Sequence, residues 1–309
     1  MKAAVLTALH AAPLVQEFEE PRERRDSRVI RVTAGGGSPT ELMRAAGVYG
    51  AFNPPCVVGG EGIGLAQGTG RVYFGHSVNP FGAWAEHTLV PETEIWPIPD
   101  GVSDGLAIAL GVSGTGALIP LEEAKIRPGE RVLILGATGP VGQIALQLAR
   151  RMGAGVIVAA GRNRPALARL RERGFADEIA QLGTGDDLEA LKAAGGKGYD
   201  VVLDAIYGPP AEAALRATAP GARMMSIGVQ AGFSVTITLR DLVSRSHVGV
   251  GTGQRPVAER RAAFERLIEL ARDGHIEVDT SEFSLDDAAA AWEAQRHSPH
   301  AKIIVRPEP

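Results

Sequence analysis

The sequence predicts an α/β protein of two domains, one a doubly wound parallel sheet and the other rich in β-strands. Three observations lead there. The chain has 309 residues, comfortable for two cores. From residue 131, short strands that are apolar throughout alternate with helical stretches, as in a parallel sheet covered on both faces. Before residue 112, short apolar runs are separated by clusters such as Gly35-Gly36-Gly37-Ser38-Pro39 and Asn53-Pro54-Pro55, which read as strands and turns.

Taken in order, apolar runs at 3–6, 28–32 and 84–90 are strands of the β-rich part. A helix is expected over 103–124, weakened by its glycines. Arg127-Pro128-Gly129-Glu130 then turns the chain into a strand at 131–135. Further strands are expected at 156–160, 200–205 and 222–227, with an outer one at 248–251. Helices are expected at 141–152, 165–173, 186–194 and 210–217. The tail reads as a helix over 256–273, a strand near 276–282, a helix after Ser284 and a last strand at 302–305. Ser284 and Asp287 have capping-box spacing.

Composition narrows the function classes. With 45% hydrophobic and 22% charged residues, the chain is an ordinary globular protein rather than a disordered one. A net charge of −4 provides no overall basic field for nucleic acid. The single cysteine, Cys56, cannot form an intrachain disulfide and reads as a small buried hydrophobe. The N-terminal apolar run is too short for a signal-peptide core, and no run nears the ~18 apolar residues of a membrane helix, so a cytoplasmic protein is expected.

The strongest motif is the strand 131–135 followed by Gly136-Ala137-Thr138-Gly139-Pro140-Val141-Gly142 and a helix. Glycines there allow a tight turn and close approach of a diphosphate, and a helix N-terminus supplies free N–H groups. The context makes this the turn of a Rossmann domain. The end of the next strand selects the coenzyme: an acid there holds a ribose 2′-hydroxyl, whereas arginine accommodates a 2′-phosphate. Here it ends Gly161-Arg162-Asn163-Arg164, with two guanidinium groups and no carboxylate, which favours NADPH. The competing explanation is a solvated basic face, since Arg150, Arg151, Arg169, Arg171 and Arg173 are near in sequence.

With that turn in place, the sequence resembles the medium-chain dehydrogenase/reductase superfamily, and within it the zinc-free quinone oxidoreductase-like branch. The resemblance runs nearly end to end, through the Met1 start, Gly59-Gly60-Glu61-Gly62-Ile63-Gly64, Gly82-Ala83-Trp84-Ala85-Glu86, the glycine turn, the segment 221–228 and the closing 301–305. It implies a GroES-like catalytic domain from 1–112 and 256–309, a Rossmann domain over 113–255, and an active-site cleft at their junction. It also implies a homodimer paired through the outer Rossmann strand near Val248.

Zinc-dependent relatives carry Gly-His-Glu where this chain has Gly59-Gly60-Glu61, and their zinc lobe needs four cysteines. No metal is therefore expected, and the seven histidines show no paired spacing. The resemblance suggests Tyr49, in Gly47-Val48-Tyr49, as a proton donor or substrate-orienting hydroxyl; a tyrosine packing its loop is the alternative. Ser38 stands where relatives often have an asparagine that contacts nicotinamide or substrate. Ser113 stands where they have a threonine facing the coenzyme. Ala205 and Gly228 are expected to line the nicotinamide side. Arg245 stands where relatives often have a basic residue, with a surface salt bridge as the equal alternative, and Lys302 reads as a surface residue shielding a terminal strand.

The function expected is an NADPH-dependent, zinc-independent reductase passing hydride to a quinone or an α,β-unsaturated carbonyl, with a small-molecule substrate and no membrane. Enoyl-thioester reduction is an enzymatic alternative. A non-catalytic NADPH-sensing or RNA-binding relative is the alternative of another class.

Overall fold

The computed structural model describes residues 1–307. The chain forms two compact units. One comprises residues 1–112, 264–274 and 278–309, and the other residues 113–263 and 275–277.

The second unit is a six-stranded, wholly parallel sheet. Its spatial order is Glu178–Gln181, Val156–Gly161, Arg131–Leu135, Tyr199–Asp204, Thr218–Ser226 and Ser246–Gly249. Numbered along the chain this is 3-2-1-4-5-6, the doubly wound Rossmann order. The strands are apolar because both faces are covered: Leu133, Val158, Val202 and Met224 are all fully buried. Helices Pro140–Arg151, Arg164–Glu172, Asp187–Gly195 and Pro209–Arg216 connect them. Three of these begin with proline in the first turn, where its missing N–H costs no bond.

The first unit carries a sheet in the order Thr280–Ser284, Lys302–Arg306, Ser27–Gly36, Glu61–Ala66, Gly70–Phe74 and Ile95–Pro97, with His87–Pro91 also paired to Ser27–Gly36. A smaller sheet joins Leu14–Glu17, Lys2–Leu6 and Cys56–Val57. Gly35, Gly36 and Gly37 sit where β-carbons would press on Ala83, Ile108 and Ile303, so the strand's end is packed by backbone alone. Cys56 lies in this core, and burial pushes its thiol up to about 11.

Several elements differ from the sequence expectations. The helix expected over 103–124 is broken: Asp104–Ala109 and Thr115–Ala124 are joined by a wide turn at Leu110–Gly114. The cause is Gly111, whose ψ of −108° is non-helical and whose missing β-carbon makes way for the Tyr73 ring. Over Asp104–Ala124 the chain does reach membrane-span length and hydropathy, but 83% of that apolar window is buried inside the protein. The tail strand begins at Thr280 rather than 276. The boundary expected at 255/256 falls inside helix Val257–Arg272, where Phe264 stacks on Tyr73 at 4.6 Å and joins the first unit. Helix Pro39–Ala45 is an addition to the sequence reading, and the hairpin Glu61–Ala66/Gly70–Phe74 is the shortened strand pair that the family resemblance implies there. Glycines at alternate strand positions and a proline-led seven-residue helix blur both periodicities.

Candidate functional site

The glycine turn is built as its sequence requires. Gly136 has φ +76°, and the N–H groups of Gly136 and Ala137 both donate to the Ala160 carbonyl, at 3.0 and 3.1 Å. The turn is thereby tied to the neighbouring strand. The Gly139 N–H closes the turn on Gly136 O at 3.2 Å, and the first helical bond runs from Gln143 N to Gly139 O at 2.9 Å. A β-carbon on Gly142 would collide with Gly136 and Ala137, so the helix can approach the strand only with glycine there.

Gly139 differs. It caps the helix without a side-chain bond, and a β-carbon on it would meet nothing nearer than 3.7 Å. Pro140 has no N–H, and Val141 and Gly142 lie in the first turn, whose amides lack helical acceptors. These amides, with the positive end of the helix dipole, suit an anion such as a diphosphate. Thr138 is buried, and its carbonyl accepts from Gln143 Nε2 at 2.9 Å, which stiffens the turn.

The strand order reverses between Arg131–Leu135 and Tyr199–Asp204, and ligands of such sheets bind outside the carboxyl ends at that point. There the Ala205 N–H donates to Leu135 O at 3.3 Å, and Gly228 lies so close to the Ala205 carbonyl that no β-carbon would fit. Gly136, Ala205 and Gly228, far apart in sequence, are thus brought together. Asp204, fully buried, precedes them. Burial pushes its carboxyl above the usual range, opposed by the Ser226 hydroxyl and the Ile206 and Tyr207 amides.

At the end of the second strand, Gly161 is buried beside Thr138, and Asn163 caps the following helix through Oδ1 and Ala166 N, at 3.0 Å. Arg162 and Arg164 are exposed, and among the described residues neither makes a hydrogen bond or an ion pair. Their neighbours behave differently: Arg150 pairs with Asp177 at 2.8 Å, Arg173 with Glu277 at 3.1 Å, and Arg171 reaches Glu178 at 3.9 Å. Of the basic crowd seen in the sequence, Arg150, Arg171 and Arg173 are paired. Arg151 and Arg169, like Arg162 and Arg164, make no side-chain hydrogen bond or ion pair among the described residues. What sets Arg162 and Arg164 apart is their place at the end of the second strand.

In the first unit, Ser38 caps helix Pro39–Ala45, yet its hydroxyl makes no capping bond. Tyr49, after that helix and the φ +69° turn at Gly47, is 56% exposed and makes no aromatic ring contact among the described residues. Ser113 is buried in the wide turn after Leu110. Cofactor-facing roles for these three rest on the resemblance.

The sequence reading missed a buried charge cluster. Lys302, expected at the surface, is 2% exposed and sets its ammonium 2.6 Å from Glu61 Oε1. Glu61 Oε2 accepts from the Tyr73 hydroxyl at 2.8 Å and the Val112 N–H at 3.0 Å. Glu41 accepts the Gly59 N–H at 2.7 Å, and burial raises its carboxyl's pKa. A β-carbon on Gly60 would lie 3.2 Å from Glu41, so that carboxylate borders the place where zinc-dependent relatives carry histidine. Among the described residues, no three His, Cys, Asp or Glu side chains gather as a metal site. Arg245 makes no surface salt bridge among the described residues; its Nε donates to Thr218 Oγ1 at 2.8 Å and its Nη2 to the Thr218 carbonyl at 3.2 Å. His247, one of the seven histidines without paired spacing, is hydrogen-bonded to Ser226 at 2.9 Å. No local motif marks either residue, because their partners come from other strands.

Residues 140–272 match the family model described as zinc-binding dehydrogenase. The chain is 32% identical, over 94% of its length, to a phenolphthiocerol/phthiocerol polyketide synthase of Mycobacterium tuberculosis, and spans 14% of that protein's length. Its structure is similar to that of the Thermus thermophilus quinone oxidoreductase, solved also in complex with NADPH, with a TM-score of 0.80, 28% identity, and 99% and 100% of the two chains covered. A probable oxidoreductase from Mycobacterium abscessus matches with a TM-score of 0.85 and 26% identity over 99% of each chain. With a 3-2-1-4-5-6 Rossmann sheet, a glycine turn at its switch point and these relatives, the chain has the fold of the medium-chain dehydrogenase/reductase superfamily, whose oxidoreductases it resembles.

Proposed function

We propose that this protein is a zinc-independent, NADPH-dependent reductase of quinones or α,β-unsaturated carbonyl compounds. The observation that carries the coenzyme choice is the pair of unpartnered guanidinium groups, Arg162 and Arg164, at the strand end beside the glycine turn. A charge-assisted bond to a phosphate contributes about 1.5–3 kcal/mol, whereas a carboxylate there would repel it. The Thermus neighbour solved with NADPH supports the same choice.

When bound, the reduced nicotinamide would supply a hydride. The amides of Val141 and Gly142 hold the diphosphate, and Ala205 and Gly228 offer bare backbone at the switch point. The exposed Tyr49 hydroxyl, which has no hydrogen-bond partner among the described residues, donates a proton to an oxygen or carbon that gains charge on reduction. Ser38, with its hydroxyl unused as a cap, orients the acceptor. Ser113 contacts the coenzyme.

A second reading follows from the polyketide synthase relative: the acceptor is an α,β-unsaturated thioester rather than a quinone. The protein is proposed to act as a homodimer. Ser246–Gly249 is the unpaired edge of its sheet, and Val243 and Val248 beside it are exposed apolar side chains, which suits pairing with a second copy. Oxidation of NADPH against NADH, measured with a panel of quinones, enals and enoyl thioesters, tests the assignment. Turnover of none of them, by protein that binds coenzyme, would refute the reductase reading.

A further inference from the structure

Two neighbouring Rossmann strands at their carboxyl ends, with His247 reaching in from the edge strand, hold a chain of side chains that the proposed reaction leaves unused. Asp204 and Ser226 are register partners on neighbouring parallel strands. The Ser226 hydroxyl donates to Asp204 Oδ2 at 2.7 Å, and His247 Nε2, from the edge strand, lies 2.9 Å from the same hydroxyl. A serine has one hydroxyl proton, and here it goes to Asp204. His247 Nε2 must therefore carry a proton and donate it to Ser226 Oγ. That bond fixes the hydroxyl rotor toward Asp204.

The other carboxylate oxygen faces the coenzyme turn. Asp204 Oδ1 accepts from the Ile206 N–H at 3.0 Å and the Tyr207 N–H at 2.8 Å. Tyr207 has φ +55°, a left-handed conformation that a tyrosine keeps only when its surroundings hold it. Its ring lies 5.9 Å from the His247 ring, so the same imidazole steadies both ends of the arrangement. Ile206 packs onto the phosphate turn: a β-carbon on Gly136 would be only 2.8 Å from Ile206 Cγ2. Without the Ser226 hydroxyl, Asp204 Oδ2 would be buried with no donor. The carboxyl would then rotate or take up a proton, and its hold on the two amides would weaken.

We propose that His247 and Ser226 are positioning residues for the coenzyme diphosphate, acting through Asp204 to hold Ile206 and Tyr207 against Gly136. The inference rests on the nicotinamide reading above, and its direct effect lies in the coenzyme-free protein.

The test compares four variants of the whole chain. Ser226→Ala and His247→Phe remove the links, while Ser226→Thr keeps the hydroxyl and His247→Gln keeps an N–H donor. Amide hydrogen exchange at Ile206 and Tyr207 is measured without coenzyme, and NADPH affinity by fluorescence titration. The first two variants are expected to speed exchange at both amides about tenfold. They should also raise the NADPH Kd about five- to twentyfold. The second two should restore both within about threefold. Unchanged exchange in Ser226→Ala, or no rescue by Thr and Gln, while the natural sequence binds NADPH, overturns the positioning role alone. The exchange pattern present in a protein that binds no nicotinamide coenzyme overturns the nicotinamide reading and the coenzyme role with it.

Discussion

Lys302 places its ammonium 2.6 Å from the Glu61 carboxylate, across 241 positions of sequence, and both side chains are almost wholly shielded from water. An ion pair buried this deeply leaves an expensive charge behind when one partner is removed. Lys302→Met is therefore expected to lower unfolding free energy by about 3–5 kcal/mol in urea titrations. Replacing both residues, as Lys302→Met with Glu61→Leu, should cost less than the lysine change alone. A double variant weaker than the single one would show that the Tyr73 and Val112 bonds to Glu61 matter more than the pair.

Arg162 has no hydrogen-bond or ion-pair partner among the described residues, so its loss should leave the fold intact. Arg162→Ala is expected to weaken NADPH binding about ten- to a hundredfold while hardly changing NADH. Titrating both coenzymes by fluorescence checks this. Equal weakening of the two would remove the 2′-phosphate assignment.

Gly139 separates folding from binding. Its φ of −78° suits any residue, and a β-carbon there meets no protein atom nearer than 3.7 Å, so Gly139→Ala should unfold within about 0.5 kcal/mol of the natural sequence. The added methyl stands where a diphosphate approaches, and coenzyme affinity should fall about tenfold or more. Gly142→Ala, by contrast, should lower stability and affinity together, because its β-carbon collides with the turn.

Tyr49 is exposed and its hydroxyl has no hydrogen-bond partner among the described residues, so Tyr49→Phe should leave the melting temperature and coenzyme Kd unchanged. Steady-state turnover should drop about tenfold to a hundredfold if its hydroxyl supplies the proton. Turnover equal to that of the natural sequence would exclude that role.

Cys56 is 1% exposed with a thiol pushed up to about 11, so at pH 8 only about one molecule in a thousand carries the thiolate. Alkylation by iodoacetamide is expected to be slow in the folded protein and fast in urea. Rapid labelling under native conditions would mean that the core of the first unit opens.

Much of the fold could be read from neighbours in sequence. Apolar strands alternating with helices from residue 131 announce the parallel sheet, and the glycines at 136, 139 and 142 announce its phosphate turn, since turn geometry and helix starts depend on residues only a few positions apart. The hairpin 61–74 was legible only through the family resemblance and not from periodicity, because its strand Glu61–Ala66 carries glycine at 62 and 64 and shows no side-chain alternation. Of the site, the glycine turn and the two arginines at the end of the second strand were visible. The chain from His247 to Asp204 was not, since Ser226 meets Asp204 only through strand register.

The sequence by itself determined the strand–turn–helix that suits a dinucleotide and the absence of an acid at the end of the second strand, for both are local patterns. Only the tertiary structure decided which charges are buried and which are free. Lys302 becomes an interior residue, and Arg162 a free cation, according to what other strands and loops set beside them. Burial and pairing are properties of residues distant in the chain, and no local pattern encodes them.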